Sequence, residues 1–141
     1  MRILALIAFT LLASTSVAEN LSQELECLAR NIYFESRGEP VDGQYAVAFV
    51  TLNRVEDPRW ADTICDVVYE PSQFSWTSRN NTSINEQVAW TRAQTIARSA
   101  YYQYYHFGED TTDGAVFFNR GRRQRYHTEL KISIGNHNFY S

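Results

Sequence analysis

Leu28-Ala29-Arg30-Asn31-Ile32-Tyr33-Phe34-Glu35-Ser36-Arg37-Gly38-Glu39-Pro40 decides how this chain is read. It begins as an amphipathic helix and ends in Gly-Glu-Pro. The ring of Pro40 disfavours the α conformation at Glu39, so the helix is expected to stop between Ser36 and Gly38. Leu25, Leu28 and Ile32 recur at helical spacing, and the next step along that stripe is Glu35. A carboxylate is thereby aimed at a largely apolar surface at a helix end. Burial disfavours its charged form and raises its pKa, which is how a protein prepares a general acid for neutral pH. Periodicity alone leaves a second reading open: a charge at the stripe's edge, paired with Arg30 or Arg37 or reaching water.

Working outward, Gln23 to Ser36 is expected to be the first helix, with Asn20 or Ser22 as N-cap. Val41 to Val55 reads as a second, nearly all-round apolar helix that packs on the first and stops at Asp57-Pro58. Asp62 to Tyr69 is a short helix capped by Asp62 or Thr63 and broken at Glu70-Pro71. Gln73-Phe74-Ser75-Trp76 alternates polar and aromatic residues, the pattern of a short strand. Ser83-x-x-Glu86 is a capping box for a helix that runs to about Tyr105, with Gly108 as its stop. Gly114 to Asn119, Lys131 to Ile134 and Asn138 to Tyr140 read as strands, and Gly135-Asn136 as a turn. The fold class is α+β: mainly helical with a small antiparallel sheet.

Residues 1–18 have the form of a signal peptide, with an uncleaved anchor as the alternative. Arg2 supplies the positive start, Ile3 to Leu12 is an apolar run too short to span a bilayer, and Ser16-Val17-Ala18 offers small residues for cleavage. The mature domain is then 19–141, one core's worth of chain working outside the cytoplasm, secreted to a periplasm or cell envelope, with no stable membrane insertion. Cys27 and Cys65 are the only cysteines. In an oxidising compartment an even pair argues for a disulfide, worth roughly 2–4 kcal/mol, against the alternative of two buried thiols. His106, His127 and His137 lack ligand spacing, so neither metal nor cofactor is expected. The net charge of −3 disfavours nucleic acid as a partner, although Arg120 to Arg125 is locally basic. That run suits either a solvated loop or attraction to anionic envelope polymers.

Several motifs occur in order with short gaps: Ile32 to Pro40, Asp42-Gly43-Gln44, Ala46-Val47-Ala48, Leu52-Asn53-Arg54-Val55, and Ile134-Gly135-Asn136-His137-Asn138-Phe139-Tyr140. Together they resemble the SleB-type cell wall hydrolases, which include spore-cortex-lytic enzymes. The resemblance implies a lysozyme-like domain, a monomer, that cleaves the peptidoglycan (murein) glycan between N-acetylmuramic acid and N-acetylglucosamine. It implies Glu35 as the catalytic residue, acting alone as acid and then base in lytic transglycosylation, with plain hydrolysis left open. The family has a similar Gln-Phe-Ser segment on its cleft wall, so Gln73, Phe74, Ser75 and, in this chain, Trp76 are expected to line the substrate cleft with His137, and the Gly114 to Asn119 strand is expected to join that wall beside Glu35. Trp76 offers a flat face for sugar stacking, with core packing as its structural alternative. Glu39 is the nearest second carboxylate. Many relatives carry histidines where this chain has Phe117 and Asn119, so no role transfers there. The rival class is a non-catalytic glycan-binding or structural envelope module.

Overall fold

The structure, a computed structural model, describes residues 3–122 and 129–141, and of residues 3–15 the helical backbone alone. His127 and the end of the basic run, from Arg123 onward, lie outside the described residues. The elements are α1 (Ile3–Ser36), α2 (Val41–Glu56), α3 (Ile64–Tyr69), a 3-10 turn (Ser75–Ser78), α4 (Gln87–Phe107), β1 (Phe117–Arg120), β2 (Leu130–Ile134) and β3 (His137–Tyr140). This is the mainly helical α+β arrangement with a small antiparallel sheet that the sequence implied. Among the described residues, no helix is long and apolar enough to cross a membrane.

α1 differs from expectation at its start. No N-cap forms at Asn20 or Ser22, because the helix runs through from Ile3. Neither glycine nor proline interrupts residues 3–36, and the Ala- and Leu-rich start has high helix propensity. Leu28 and Ile32 are fully buried, as the stripe required. Burying each contributes about 1.5–3 kcal/mol. Their face packs on α2, where Ala48, Phe49 and Leu52 are also buried, and on α4, where Ala93, Ile96, Ala97 and Ala100 permit close approach. Cys27 and Cys65 are bonded, tying α1 to α3 with their Cα atoms 5.2 Å apart. At the start of α3 the cap is Thr63, whose side chain accepts the Asp66 N–H.

α4 begins at Gln87, after the expected capping box, and Glu86 makes no side-chain cap. Glu86 is instead held by Arg37 at 2.7 Å. The hydroxyl of Tyr33 accepts the N–H groups of Asn85 and Glu86 at 3.3 and 3.1 Å. A side chain of α1 therefore does the capping that Ser83 was expected to do. At the other end Gly108 adopts a left-handed conformation (φ 66°) and closes α4 as expected.

The strand order is β1-β3-β2, all neighbours antiparallel. Its inner face, with Phe118, Ile132, Ile134 and Phe139, packs on Ala46, Val47 and Val50 of α2. β1 starts later than the expected Gly114 because Asp113 and Gly114 have positive φ and form a turn. The segment expected as a strand at Gln73 to Trp76 is a turn leading into the 3-10 helix. Phe74 and Trp76 are buried and Gln73 and Ser75 exposed, so one tight turn satisfies the same alternation.

Candidate active site

α1 ends where Glu35 stands. The Ser36 hydroxyl donates back to the Ile32 carbonyl at 2.8 Å, and the Glu39 N–H to the Ser36 carbonyl at 2.8 Å, so the last turn tightens and closes. A pocket of about 320 Å³ opens there, lined by Phe34, Glu35, Ser36, Arg37, Gly38, Glu86 and Arg120. Gly38 leaves it open: its chain neighbours apart, no described residue lies within 4 Å of where a side chain would begin. Glu35 is half-buried, and among the described residues no hydrogen bond or ion pair reaches its carboxylate. Burial raises its pKa, while the charges of Arg79, Arg120 and Arg54 pull the other way without cancelling the rise. Its place in the last turn, at the negative end of the helix dipole, also disfavours the charged form.

Glu39 is the opposite case. Its side chain is 0 % exposed, yet it is paired with Arg120 at 2.7 Å. It also accepts the Asn136 backbone N–H at 2.9 Å and the Asn136 amide at 3.3 Å. Burial alone would raise its pKa; the bonds from Asn136 and Arg120 and the charge of His137 outweigh that and hold it below the usual carboxylate range. Gly135 of the β2–β3 turn has φ 57°, and a side chain there would collide with Glu39 and Pro40. Glu39 thus clamps the sheet to the α1–α2 junction.

None of the expected cleft residues Gln73, Phe74, Ser75, Trp76 and His137 lines the Glu35 pocket. Trp76 is 1 % exposed, with its ring stacked on Phe34 at 4.6 Å. Its Nε1–H donates to Asn31 Oδ1 at 2.9 Å, and Asn31 in turn donates to Thr51 Oγ1 at 3.1 Å. Trp76 therefore offers no open face, and the core alternative describes it. It wedges the last turn of α1 against α2. Phe74 meets Phe118 at 6.2 Å, so the Gln73–Trp76 segment does adjoin β1. Gln73 and Ser75 are exposed. His137 is 3 % exposed, packed against Phe118 and Phe139, and is not among the residues lining the Glu35 pocket. Burial lowers its pKa against the opposing pull of Glu39, and Arg120 lowers it further.

Three residues to which the sequence assigned no site role, although Asn53 and Arg54 stand in a quoted motif and Arg120 begins the basic run, support this end of the fold. Arg54 is 4 % exposed on α2, and its Nε donates to the Val116 carbonyl at 2.7 Å. Burial lowers its pKa to about 10, against the charges of Glu70 and Glu35. Asn53 donates to Asp110, Thr112 and Ala115 and accepts from Tyr104, joining α2, α4 and the approach to β1. Arg120 is the clamp partner of Glu39. An Asn-Arg pair inside an otherwise apolar helix was the available signal for the first two, since polar groups persist there only when bonded.

Among the described residues, no group of three or more His, Cys, Asp or Glu side chains is placed to hold a metal ion.

A profile of the Cell Wall Hydrolase family matches residues 38–140, beginning just after Glu35. The spore cortex-lytic enzyme of Oceanobacillus iheyensis is 31% identical over 107 residues, which are 75% of this chain and 36% of that one. That of Bacillus subtilis is 28% identical over 98 residues, 70% of this chain and 30% of that one. The chain thus spans about a third of the length of these curated relatives. The crystal structure of the catalytic domain of the Bacillus cereus SleB protein superposes with a TM-score of 0.69 at 28% identity, covering 85% of this chain and 91% of that one. The catalytic domain of the germination-specific lytic transglycosylase SleB from Bacillus anthracis gives 0.67 at 28% identity, covering 84% and 93%. With its helices, its sheet and most of its length matched, the chain belongs to the Cell Wall Hydrolase family.

Proposed function

We propose that this chain cleaves the peptidoglycan glycan strand between N-acetylmuramic acid and N-acetylglucosamine, with Glu35 as the sole acid–base catalyst. The observation that carries this is the split between two neighbouring carboxylates. Glu35 is desolvated, unpaired among the described residues and open to a pocket, whereas Glu39 is consumed by the Arg120–Asn136 clamp. A general acid must hold its proton near working pH, and of these two Glu35 has the environment for that.

The protonated Glu35 delivers its proton to the glycosidic oxygen as the bond to the muramic acid C1 breaks. The leaving oxygen keeps the bonding electrons, and C1 acquires oxocarbenium character. The resulting Glu35 carboxylate then takes the proton of the C6 hydroxyl of the same muramic acid, whose oxygen bonds to C1. The product is a 1,6-anhydro sugar, and Glu35 regains its proton. With Glu39 clamped, no second carboxylate of this stretch is free to hold a water or to act as nucleophile. The spore cortex-lytic relatives and the lytic transglycosylase named among the solved structures support this choice of chemistry.

Export is part of the same proposal. Residues 1–18 serve as a signal peptide, and the domain 19–141 works as a monomer in the cell envelope, where the Cys27–Cys65 bond persists. The test is mass spectrometry of the products from purified murein digested in heavy-oxygen water. Anhydromuramic ends free of the label are expected. Labelled reducing ends would replace transglycosylation by hydrolysis, and intact murein would overturn the enzymatic reading.

A further inference from the structure

Beside Glu35, the Arg54 side chain is buried yet incompletely bonded. Nε has its carbonyl, but Nη1 is buried with no hydrogen-bond partner among the described residues. Such an orphan on a cation is costly, and native structures keep few of them. The guanidinium lies 5.3 Å from the Trp60 ring and 5.9 Å from the Phe117 ring. These two rings meet edge to face at 5.6 Å. Phe117 is 36% exposed, so the pair reaches the surface. Asn119 follows Phe117 on the same face of β1, because strand side chains alternate. Its Oδ1 is also buried without a partner among the described residues, as is Oε2 of Glu70, whose charge acts on Arg54. The amide orientation is set by Nδ2, which donates to the Arg122 carbonyl at 2.8 Å, so the orphan atom is the acceptor.

One orphan donor and one orphan acceptor thus lie next to a surface-reaching aromatic pair. A 2-acetamido group carries the complement of both, a carbonyl that accepts and an N–H that donates. The ring that bears it has an apolar C–H face suited to aromatic side chains. We propose that Arg54, Asn119, Trp60 and Phe117 form a subsite for an N-acetylated sugar of the glycan, on the side of Arg54, whose charge acts on Glu35. This rests on the glycan-cleaving reading above and names the substituent that is recognised. The acetamido carbonyl accepts from Arg54 Nη1, and its N–H donates to Asn119 Oδ1. Phe117, the exposed member of the pair, turns to a second rotamer to uncover both atoms. The sugar then packs on Trp60.

The experiment uses the full chain carrying Glu35→Gln, so that binding is read without cleavage. It is titrated with chitotetraose and with cellotetraose, which has the same linkage and no charge but hydroxyls in place of the acetamido groups. Backbone and side-chain amide shifts, including the Trp60 indole, are followed by NMR. A preference for chitotetraose of about ten- to a hundredfold is expected, with the largest shifts at Trp60 and Asn119. Asn119→Ala, on a half-buried strand position, should abolish most of that preference with the melting temperature unchanged. Arg54→Lys should do the same where it folds. Equal affinity for the two sugars, shifts confined elsewhere, or an ordered water that satisfies Nη1 and Oδ1 with no response to sugar would overturn the subsite. Murein cleavage without acetamido selectivity defeats the subsite alone. Acetamido-selective binding at these residues in a wild type that leaves murein intact defeats the enzymatic reading alone.

Discussion

Glu35 and Glu39 lie one on each side of Gly38, yet the fold treats them oppositely. Glu35 ends α1 facing a pocket, and burial pushes its pKa up. The Glu39 side chain is fully covered from solvent, but three hydrogen-bond donors on Arg120 and Asn136 surround it and its pKa falls. Burial by itself therefore does not predict which carboxylate holds a proton. The partners left to it do. The same difference separates two kinds of support. The Glu35 side rests on core packing through Trp76 and Asn31, whereas the Glu39 side rests on polar bonds to the sheet.

The strongest way to break this contrast is Glu35→Gln. Murein cleavage should fall by about 10²–10⁴-fold or more, since an amide cannot deliver the proton. Circular dichroism should show the fold intact, and stability at neutral pH should hold or rise, because the variant buries no charge. Wild-type activity in this variant on murein gels would remove Glu35 from the mechanism.

Trp76→Ala tests the packing side. Removing a ring that is 1 % exposed and stacked on Phe34 should cost about 3–5 kcal/mol in urea denaturation, with activity falling as the fold is lost. Full stability with weakened glycan binding would instead return Trp76 to the cleft.

Glu39→Gln tests the polar side and should be milder, about 1–3 kcal/mol. Gln can still accept the Asn136 N–H, and Arg120, whose side chain is 65% exposed, can turn to water. Activity measured well below the melting temperature should survive. A loss of cleavage equal to that of Glu35→Gln, at unchanged stability, would mean that the two carboxylates work as a pair.

The smallest effect is in pH, and here the two groups have opposite signs. The raised pKa of Glu35 means that its contribution to stability is fully present below the unfolded-state pKa and is lost as pH rises through the folded one. Glu39, with its lowered pKa, contributes above the unfolded-state value and loses that as pH falls through the folded one. Glu39→Gln should therefore flatten the acid limb of a stability–pH curve, and Glu35→Gln should flatten the decline on the alkaline side of the carboxylate range. Cleavage by the wild type should decrease as pH rises past the Glu35 pKa, where the acid loses its proton. Identical curves for both variants would erase the distinction.

What the chain carries locally was legible. The stripe of Leu25, Leu28 and Ile32 oriented α1 and pointed to Glu35, and the Gly-Glu-Pro run ended the helix. Gly108 closed α4, and the lone cysteine pair gave the disulfide. Each is a relation within a few turns of backbone, or a matter of counting. The misreadings came from patterns too short to be unique. Alternation over Gln73 to Trp76 fits a strand and a tight turn equally, and Ser83-x-x-Glu86 fits a capping box that Arg37 and Tyr33 pre-empted.

The sequence alone determined that a carboxylate would stand at the end of an amphipathic helix, and that the chain would turn there. Only the tertiary structure decided which of two carboxylates stays unpaired among the described residues. The partners of Glu39 lie 81 and 97 residues away, on the far strand and turn of the sheet. Likewise, the orphan Nη1 of Arg54 becomes visible only once Val116 has taken Nε, 62 positions along the chain. Proton affinity depends on the donors and charges within a few ångströms, and backbone periodicity carries no record of which distant residues will supply them.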